Sequence, residues 1–290
     1  MIHDRLPESL EIDLLSTSEI VRLINTQDQI VAECVARESE RIAQAIDAIV
    51  DRLRNDGRLF YAGAGTSGRI AALDAAELPP TFGTDPELVQ VLMAGGEQAL
   101  TGAVEGAEDS EEAAVAAIDR HVRPEDAVVG IAASGTTPFT LTALRRANML
   151  GALTVGVTSV PDSPLSRECD IPIVVVTGPE VILGSTRMKG GTAQKMVLNM
   201  ISTAVMIRLG RVYSNLMVEM PATNAKLKSR AVLMIQLAAE TTRQRAESAW
   251  AESGGNVKCA VVMIRRDVDV QTASAVLERS GGNLREALER

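Results

Sequence analysis

The chain is 290 residues long, 46% hydrophobic but only 2% aromatic, and carries a formal net charge of −9. This length builds one large core with a small appendage. The apolar content excludes disorder over most of it, and the scarcity of aromatics leaves the core to Ala, Val, Ile, Leu and Met, which suits helices packed on a parallel sheet.

The acidic balance, with no Lys/Arg cluster, gives no nucleic-acid footprint. An anion must therefore be held locally, by backbone amides, hydroxyls and helix N-termini. Cys34, Cys169 and Cys259 are odd in number and far apart, so they draw neither a disulfide framework nor a zinc site and read as reduced thiols. Met1-Ile2-His3-Asp4-Arg5 lacks the apolar region of a signal peptide, and the longest apolar stretches are broken before membrane-span length. The expectation is a soluble, cytoplasmic chain.

The first dozen residues read as a loosely held arm. Ser16-Thr17-Ser18-Glu19 reads as a capping box that opens a short helix, Ile20–Ile24. A longer helix is predicted from about Asp28 to Asn55, where Val31, Cys34, Val35, Ile42, Ile46, Ile49 and Leu53 recur at helical spacing. Gly57 is placed to end it. Strands and helices then alternate. Strands are predicted at Arg58–Ala62, Leu88–Met93, Ala127–Ala132, Leu153–Val157 and Ile171–Val176. Helices fill the gaps, including one that Pro79-Pro80 ends, one at Glu111–Asp119 and one at Phe139–Met149. Short apolar strands separated by helices imply βαβ units and a doubly wound, parallel, five-stranded sheet in an α/β fold, with ligands at the carboxyl ends of its strands. A long helix from about Gly191 to Leu209, apolar around most of its circumference, is expected to be buried or at a subunit interface. The expected division is an N-terminal arm and helices over 1–55, the sheet domain over 56–219 and a small three-helix module over 231–290.

Gly63-Ala64-Gly65-Thr66-Ser67-Gly68 follows a strand and opens a helix, matching the dinucleotide pattern G-x-G-x-x-G. That pattern wants an acid at the end of the next strand to hold a ribose. The next strand runs into Ala94-Gly95-Gly96, with no carboxylate there. What the loop does carry is two hydroxyls, Thr66 and Ser67, beside a helix N-terminus. Ser134-Gly135-Thr136-Thr137 repeats the device after the third strand, with Pro138 suited to the first helical position. Taken alone, Thr137 is also a plain N-cap and Ser134 a turn residue. As a pair, the two loops lie at strand carboxyl ends of one sheet and can converge on one phosphate monoester, which favours several hydroxyl and amide donors. The phosphate cradle is therefore read as Gly65, Thr66, Ser67, Ser134, Gly135, Thr136 and Thr137.

His3 and His121 are the only histidines, and neither belongs to a metal-ligand or Ser-His-Asp pattern, so acid–base work falls to carboxylates. Glu77, on the helix after the glycine loop, is the first candidate. Glu105 and Glu108, three apart and expected to share a helix face, are next. Asp109 and Ser110 read as a cap for the following helix. Each of these carboxylates is equally a solvated helix residue by default.

Several segments together resemble one family, the N-acetylmuramic acid 6-phosphate etherases. They are Gly63–Pro80 (GAGTSGRIAALDAAELPP), Ala94–Glu97 (AGGE), Ala103–Ser110 (AVEGAEDS), Val129–Gly135 (VGIAASG) and Gly184–Lys195 (GSTRMKGGTAQK). Leu198-Asn199, Asn215–Val218 and the Gly281-Gly282 tail continue the match, which runs from about Glu11 to the C-terminus. The resemblance implies the sugar isomerase (SIS) fold, with 56–219 as its phosphosugar-binding domain. It implies a lyase that cleaves the D-lactyl ether of N-acetylmuramic acid 6-phosphate in peptidoglycan recycling, as a homodimer with sites near the subunit interface and without metal or organic cofactor. It assigns Glu77 as proton donor and Glu108 as the second catalytic glutamate. One position departs: the third-strand loop often reads A-S-G-R-T-P-Y in the family, and Thr136 stands here in place of the Arg, which puts affinity rather than reaction type at stake. Arg187 and Lys189 are candidates for added positive charge, and Lys195 and Asn199 for the site or a partner chain. The rival readings are an aldose–ketose isomerase on the same fold and a non-catalytic phosphosugar sensor.

Overall fold

The computed structural model describes residues 4–289, so His3 lies outside the described residues. Two compact units divide the chain: residues up to Ala75 with Glu87–Thr203, and Ala76–Pro86 with residues from Ala204 onward.

The first unit opens with helices α1 (Thr17–Gln29), α2 (Val31–Ala36) and α3 (Ser39–Arg54). The capping box forms as read: the Ser16 side chain accepts from the Glu19 amide and the Glu19 carboxylate accepts from the Ser16 amide. The predicted single helix from about Asp28 to Asn55 is instead broken twice, at Ile30 and, over two residues, at Arg37-Glu38. The second break coincides with a tertiary contact, since the Glu38 carboxylate accepts from the Val174 amide at 3.1 Å. Gly57 also works differently from the reading. Asp56 takes the left-handed position at φ 62°, and Gly57 is required because a Cβ there would lie 2.2 Å from the Glu125 carbonyl oxygen.

Next come β1 (Leu59–Gly63), α4 (Gly65–Phe82), β2 (Val89–Met93), α5 (Gln98–Thr101), α6 (Glu111–His121), β3 (Ala127–Ile131), α7 (Pro138–Leu150), β4 (Leu153–Thr158), α8 (Pro164–Glu168), β5 (Ile171–Val174) and α9 (Lys189–Arg208). All five strands pair in parallel in the order β2-β1-β3-β4-β5. The five predicted strands are thus present, each within two residues of its expected ends. The order reverses between β1 and β3, which are neighbours but lead to opposite sides of the sheet. That switch point is where an open α/β sheet leaves a crevice at its carboxyl edge.

One sheet face packs Phe60, Ala62, Val128 and Leu92 against Ile118, Phe139, Leu144 and Leu165 from the helices. The approach is close at Gly130, where a Cβ would fall 2.7 Å from Leu144 Cγ. On the other face α3 packs on β4 and β5. There the buried Asp74 of α4 accepts hydrogen bonds from Tyr61 (2.9 Å), Asn199 (2.6 Å) and Ser202 (3.0 Å). Burial, and then the Asp74 carboxylate, push the Tyr61 phenol well above its ordinary range, so it stays a donor. This network ties β1, α4 and α9 together and gives Asn199 a structural partner in its own chain.

Helix α4 corrects another expectation. Pro79 and Pro80 lie inside it rather than ending it. It closes at Phe82, where Gly83 has φ +60° and donates to the Pro79 carbonyl at 3.0 Å. Each proline lacks an N–H and its ring crowds the carbonyl four residues back, and the helix nonetheless continues through both to Phe82.

The second unit holds the end of α4 and of α9, the short strands β6 (Val212–Tyr213) and β7 (Leu216–Met217), and helices α10 (Ala225–Ala239), α11 (Arg243–Glu252), α12 (Val257–Arg266), α13 (Val270–Arg279) and α14 (Leu284–Glu289). Among the described residues the C-terminal region has five helices beginning at Ala225, where the sequence suggested three from about Ala231. Ile235, Ala260, Val261 and Leu284 form its core. The buried Lys258 amine pins three chain segments here, donating to the carbonyls of Gly210 (3.0 Å) and Gly282 (2.5 Å) and to the Glu219 carboxylate. Among the described residues the three cysteines are free, and no helix is long and apolar enough to cross a membrane.

Candidate active site

Strand register brings the two hydroxyl turns side by side. Gly63 at the end of β1 pairs with Ile131 at the end of β3, so the turns that follow leave the same edge one strand spacing apart, about 4.8 Å. Both run into helix N-termini, those of α4 and α7. Between them lies a cleft of about 520 Å³ lined by Gly65, Thr66, Ser67, Ser134, Thr136 and Thr137 among others. Six of the seven residues read as a phosphate cradle thus share one cavity, and the seventh, Gly135, is the buried residue between two of them.

Each turn is shaped by its glycines. Gly63 and Gly68 pack against each other: a Cβ on Gly68 would lie 2.9 Å from the Gly63 carbonyl oxygen. This lets α4 start tightly against β1. Gly135, at φ +67°, is hemmed in by Ser163, whose Oγ would stand 2.2 Å from an added Cβ. Within the same turn Ser134 Oγ accepts from the Thr136 amide at 3.3 Å and from the Thr136 hydroxyl at 3.1 Å. Thr137 occupies the N-cap position of α7, with Pro138 in the first turn, but its side chain makes no capping bond.

Among the described residues no lysine or arginine lines the cleft. Its attraction for anions therefore comes from hydroxyls and from the amides and dipoles of two helix N-termini, each favouring negative charge by about 0.3–1 kcal/mol. Of the two cations proposed from the sequence, Arg187 is exposed and outside the lining, and Lys189 is buried with its amine donating to Gln27 Oε1 at 2.8 Å. The segment that carries them does contribute, through Gly184 and Thr186 on the cleft wall. Glu180, 1% exposed, fixes that segment by accepting from the amides of Lys189 (3.0 Å) and Gly190 (2.9 Å) at the start of α9. No sequence pattern marks Glu180, because a lone acid in a Gly-Pro-Glu loop has no periodicity to betray it.

Glu108 lines the same cleft. It is exposed, in a single 3-10 turn, Ala107–Asp109, that begins after Gly106 at φ +70°. The expectation that Glu105 and Glu108 share a helix face therefore fails: the left-handed glycine between them separates the two, and only Glu108 reaches the cavity. Asp109 also lines it, whereas Ser110 alone caps α6, accepting from the Ala113 amide at 3.2 Å. Arg69 braces the connection that leads here, donating to the carbonyls of Leu100 (3.1 Å) and Gly102 (2.6 Å). Glu77 is exposed and is not among the lining residues. Lys195 is exposed on α9. Among the described residues no three His, Cys, Asp or Glu side chains gather as a metal-ligand set.

A parallel sheet in this order, with hydroxyl-bearing turns at its switch point, defines a SIS-domain protein. Residues 100–204 match the SIS domain family, and residues 41–148 match the glucokinase regulatory protein N-terminal SIS domain. The phosphoheptose isomerase from Neisseria gonorrhoeae shares this fold, with a TM-score of 0.52 at 17% identity over 65% of this chain and 98% of that one. Sequence likeness goes further. The N-acetylmuramic acid 6-phosphate etherase of Symbiobacterium thermophilum is 58% identical over 90% of this chain and 87% of its own length. That of Edwardsiella ictaluri is 50% identical over 100% of this chain and 97% of its own. The chain belongs to the N-acetylmuramic acid 6-phosphate etherase family.

Proposed function

We propose that this chain is a carbon–oxygen lyase that cleaves the D-lactyl ether of N-acetylmuramic acid 6-phosphate, yielding N-acetylglucosamine 6-phosphate and D-lactate. The observation that carries the reading is the position of Glu108, a carboxylate on the wall of the cleft that both hydroxyl turns line. The turns grip the phosphate through Thr66, Ser67, Ser134, Thr136, Thr137 and the amides around Gly65 and Gly135. The carboxylate then faces the sugar carbons.

In the open-chain sugar the C1 aldehyde acidifies the proton on C2. Glu108 removes that proton, and the electron pair is held as the C1–C2 enolate. The enolate collapses to a C2–C3 double bond as the C3–oxygen bond to lactate breaks. A general acid protonates the departing ether oxygen. Water then adds to C3 of the unsaturated aldehyde, its oxygen forming the new C3–O bond as the proton it loses passes to the carboxylate left by the general acid, and Glu108 returns a proton to C2. Proton-transfer steps of this kind contribute about 10²–10⁴-fold each.

Glu77 is the proton donor in this reading, and it reaches the cleft from a second copy of the chain, in a cytoplasmic homodimer that serves peptidoglycan recycling. Its exposure on α4 supports a donor that can meet a neighbouring chain.

The test has two parts. Purified protein given the muramic phosphate must release D-lactate, and formation of an isomerised sugar without lactate would overturn the reading. Mixing inactive Glu77→Gln and Glu108→Gln chains should then restore up to roughly a quarter of wild-type turnover, because a two-fold dimer built from one of each has one intact site. If mixing restores nothing, the trans placement of Glu77 fails; if Glu77→Gln alone keeps near-wild-type turnover, Glu77 loses its role and Asp109 is the remaining carboxylate on the wall.

A further inference from the structure

One buried acid closes the segment between β5 and α9 on itself. Glu180 is 1% exposed, and its carboxylate accepts from the amides of Lys189 (3.0 Å) and Gly190 (2.9 Å), nine and ten positions further along the chain. A helix N-terminus is ordinarily capped by the side chain of the residue just before it. Here the acceptor comes from the far end of the loop, so one carboxylate ties both ends of the loop together. The stretch inside the tie, 181–188, holds Gly184 and Thr186, and both line the cleft.

Two paths lead from the carboxylate to Thr186. The first runs across Gly190. A Cβ on that glycine would lie 3.6 Å from Glu180 Oε1, 3.5 Å from Thr186 Cβ and 3.5 Å from Ala133 Cβ. Ala133 lines the cleft as well, so the carboxylate stands one glycine behind two residues of the wall. The second path follows the main chain. Just past the amides that Glu180 anchors, the Gly191 amide donates to the Thr186 carbonyl at 2.8 Å, and the Thr186 amide donates to the Gly184 carbonyl at 3.0 Å. Both main-chain groups of Thr186 are thereby committed, and the side chain is what this residue offers a ligand. The buried charge is balanced within the fold. Burial pulls the Lys189 amine below its ordinary range, and the Glu180 charge is the chief opposing pull.

We infer that Glu180 is a positioning residue of the phosphosugar site: by anchoring the start of α9 it holds the Thr186 side chain on the cleft wall, as a contact to the bound sugar phosphate beside those of the two turns. The inference rests on the phosphosugar reading above and deepens it. It adds a third segment to the site and, behind that segment, the residue that keeps it in place.

The test uses the full chain, with N-acetylglucosamine 6-phosphate as the probe in calorimetry. Glu180→Gln keeps the shape of the side chain but turns one acceptor oxygen into an NH2 group that faces a main-chain N–H. It should weaken probe binding about tenfold and raise KM by the same factor, while kcat stays within about threefold of wild type. Thr186→Val should weaken the probe by about as much. Because Glu180 acts through Thr186, the double variant should lose no more than about threefold beyond Thr186→Val, whereas independent sites would multiply to about a hundredfold. Unchanged affinity and KM in Glu180→Gln, however far its Tm falls, overturns the inference and leaves Glu180 a structural cap. Losses that multiply in the double variant overturn it too. Should Glu180→Gln not fold, amide hydrogen exchange on the wild type decides. Probe binding should slow exchange at Lys189, Gly190 and Gly191, and slowing confined to Thr136 and Thr137 overturns the inference. Wild-type protein that fails to bind the probe would overturn the phosphosugar reading itself, a different and separable result.

Discussion

The β1–α4 turn and the β3–α7 turn have nearly the same composition, and the fold uses them differently. Both follow a central strand, both carry a glycine with positive φ, and both present hydroxyls to one cleft. Gly65, at φ +53°, has open space where a Cβ would stand, whereas Gly135 has Ser163 and Thr158 packed against it. The hydroxyl of Ser134 is already engaged with Thr136 inside its turn. One segment, the start of α4, has free space beside its glycine; the other turn is braced from behind and within. Preorganised donors lose little freedom on binding, so the braced turn sets the position of the phosphate and the open one completes its shell.

The largest expected effect separates gripping from turnover. If both turns only bind, the chemistry lies with the carboxylate on the wall, and Glu108→Gln should lower kcat by about 10²–10⁴-fold. Its affinity for N-acetylglucosamine 6-phosphate, measured by calorimetry, should stay within about threefold of wild type, a difference of roughly 0.6 kcal/mol. An equal fall in affinity would place Glu108 among the binding groups and dissolve the division between turns and wall.

The two glycines give the next effect. Gly135→Ala combines a left-handed alanine, about 1–2 kcal/mol, with overpacking against Ser163, about 1–3 kcal/mol. Gly65→Ala carries only the first of these. Thermal unfolding should therefore place the Gly135 variant several degrees below the Gly65 variant, at roughly 2–4 °C per kcal/mol for a unit of this size. Equal Tm values would mean that the bracing by Ser163 is not a constraint.

The fold was legible where the sequence is redundant. Each strand of a parallel sheet is buried on both faces and reads as an unbroken apolar run, which is why Ala127–Ile131 and Leu153–Thr158 stand out. The cradle was legible because strand ends, hydroxyls and glycines coincide twice. What stayed hidden depends on contacts distant in sequence. Nothing local in Arg37-Glu38 announces a helix break that accompanies the Glu38 contact to Val174. Glu180 and Thr186 support or line the cleft from a segment whose visible signal was its charges, and those charges, Arg187 and Lys189, are outside its lining. The Glu105 and Glu108 reading failed on a local signal that was present: Gly106 between them favours a left-handed turn over a helix.

The smallest effect addresses the hydroxyls themselves. A hydrogen bond to a charged phosphate contributes about 1.5–3 kcal/mol, so removal of either serine hydroxyl should raise KM by roughly 10–100-fold and leave kcat nearly unchanged. The two variants should part company in stability. Ser67 has no bond within its own turn to lose, so Ser67→Ala should keep the wild-type Tm. Ser134→Ala also removes the acceptor for the Thr136 amide and hydroxyl, which should lower stability by about 1 kcal/mol and let the turn relax before ligand arrives. The Ser134 variant should therefore show the larger KM increase of the two, with its affinity recovering more on cooling as the turn orders. If Ser67→Ala were the more damaging in both respects, the open turn would be the one that sets the phosphate position, and the roles assigned to the two turns would be exchanged.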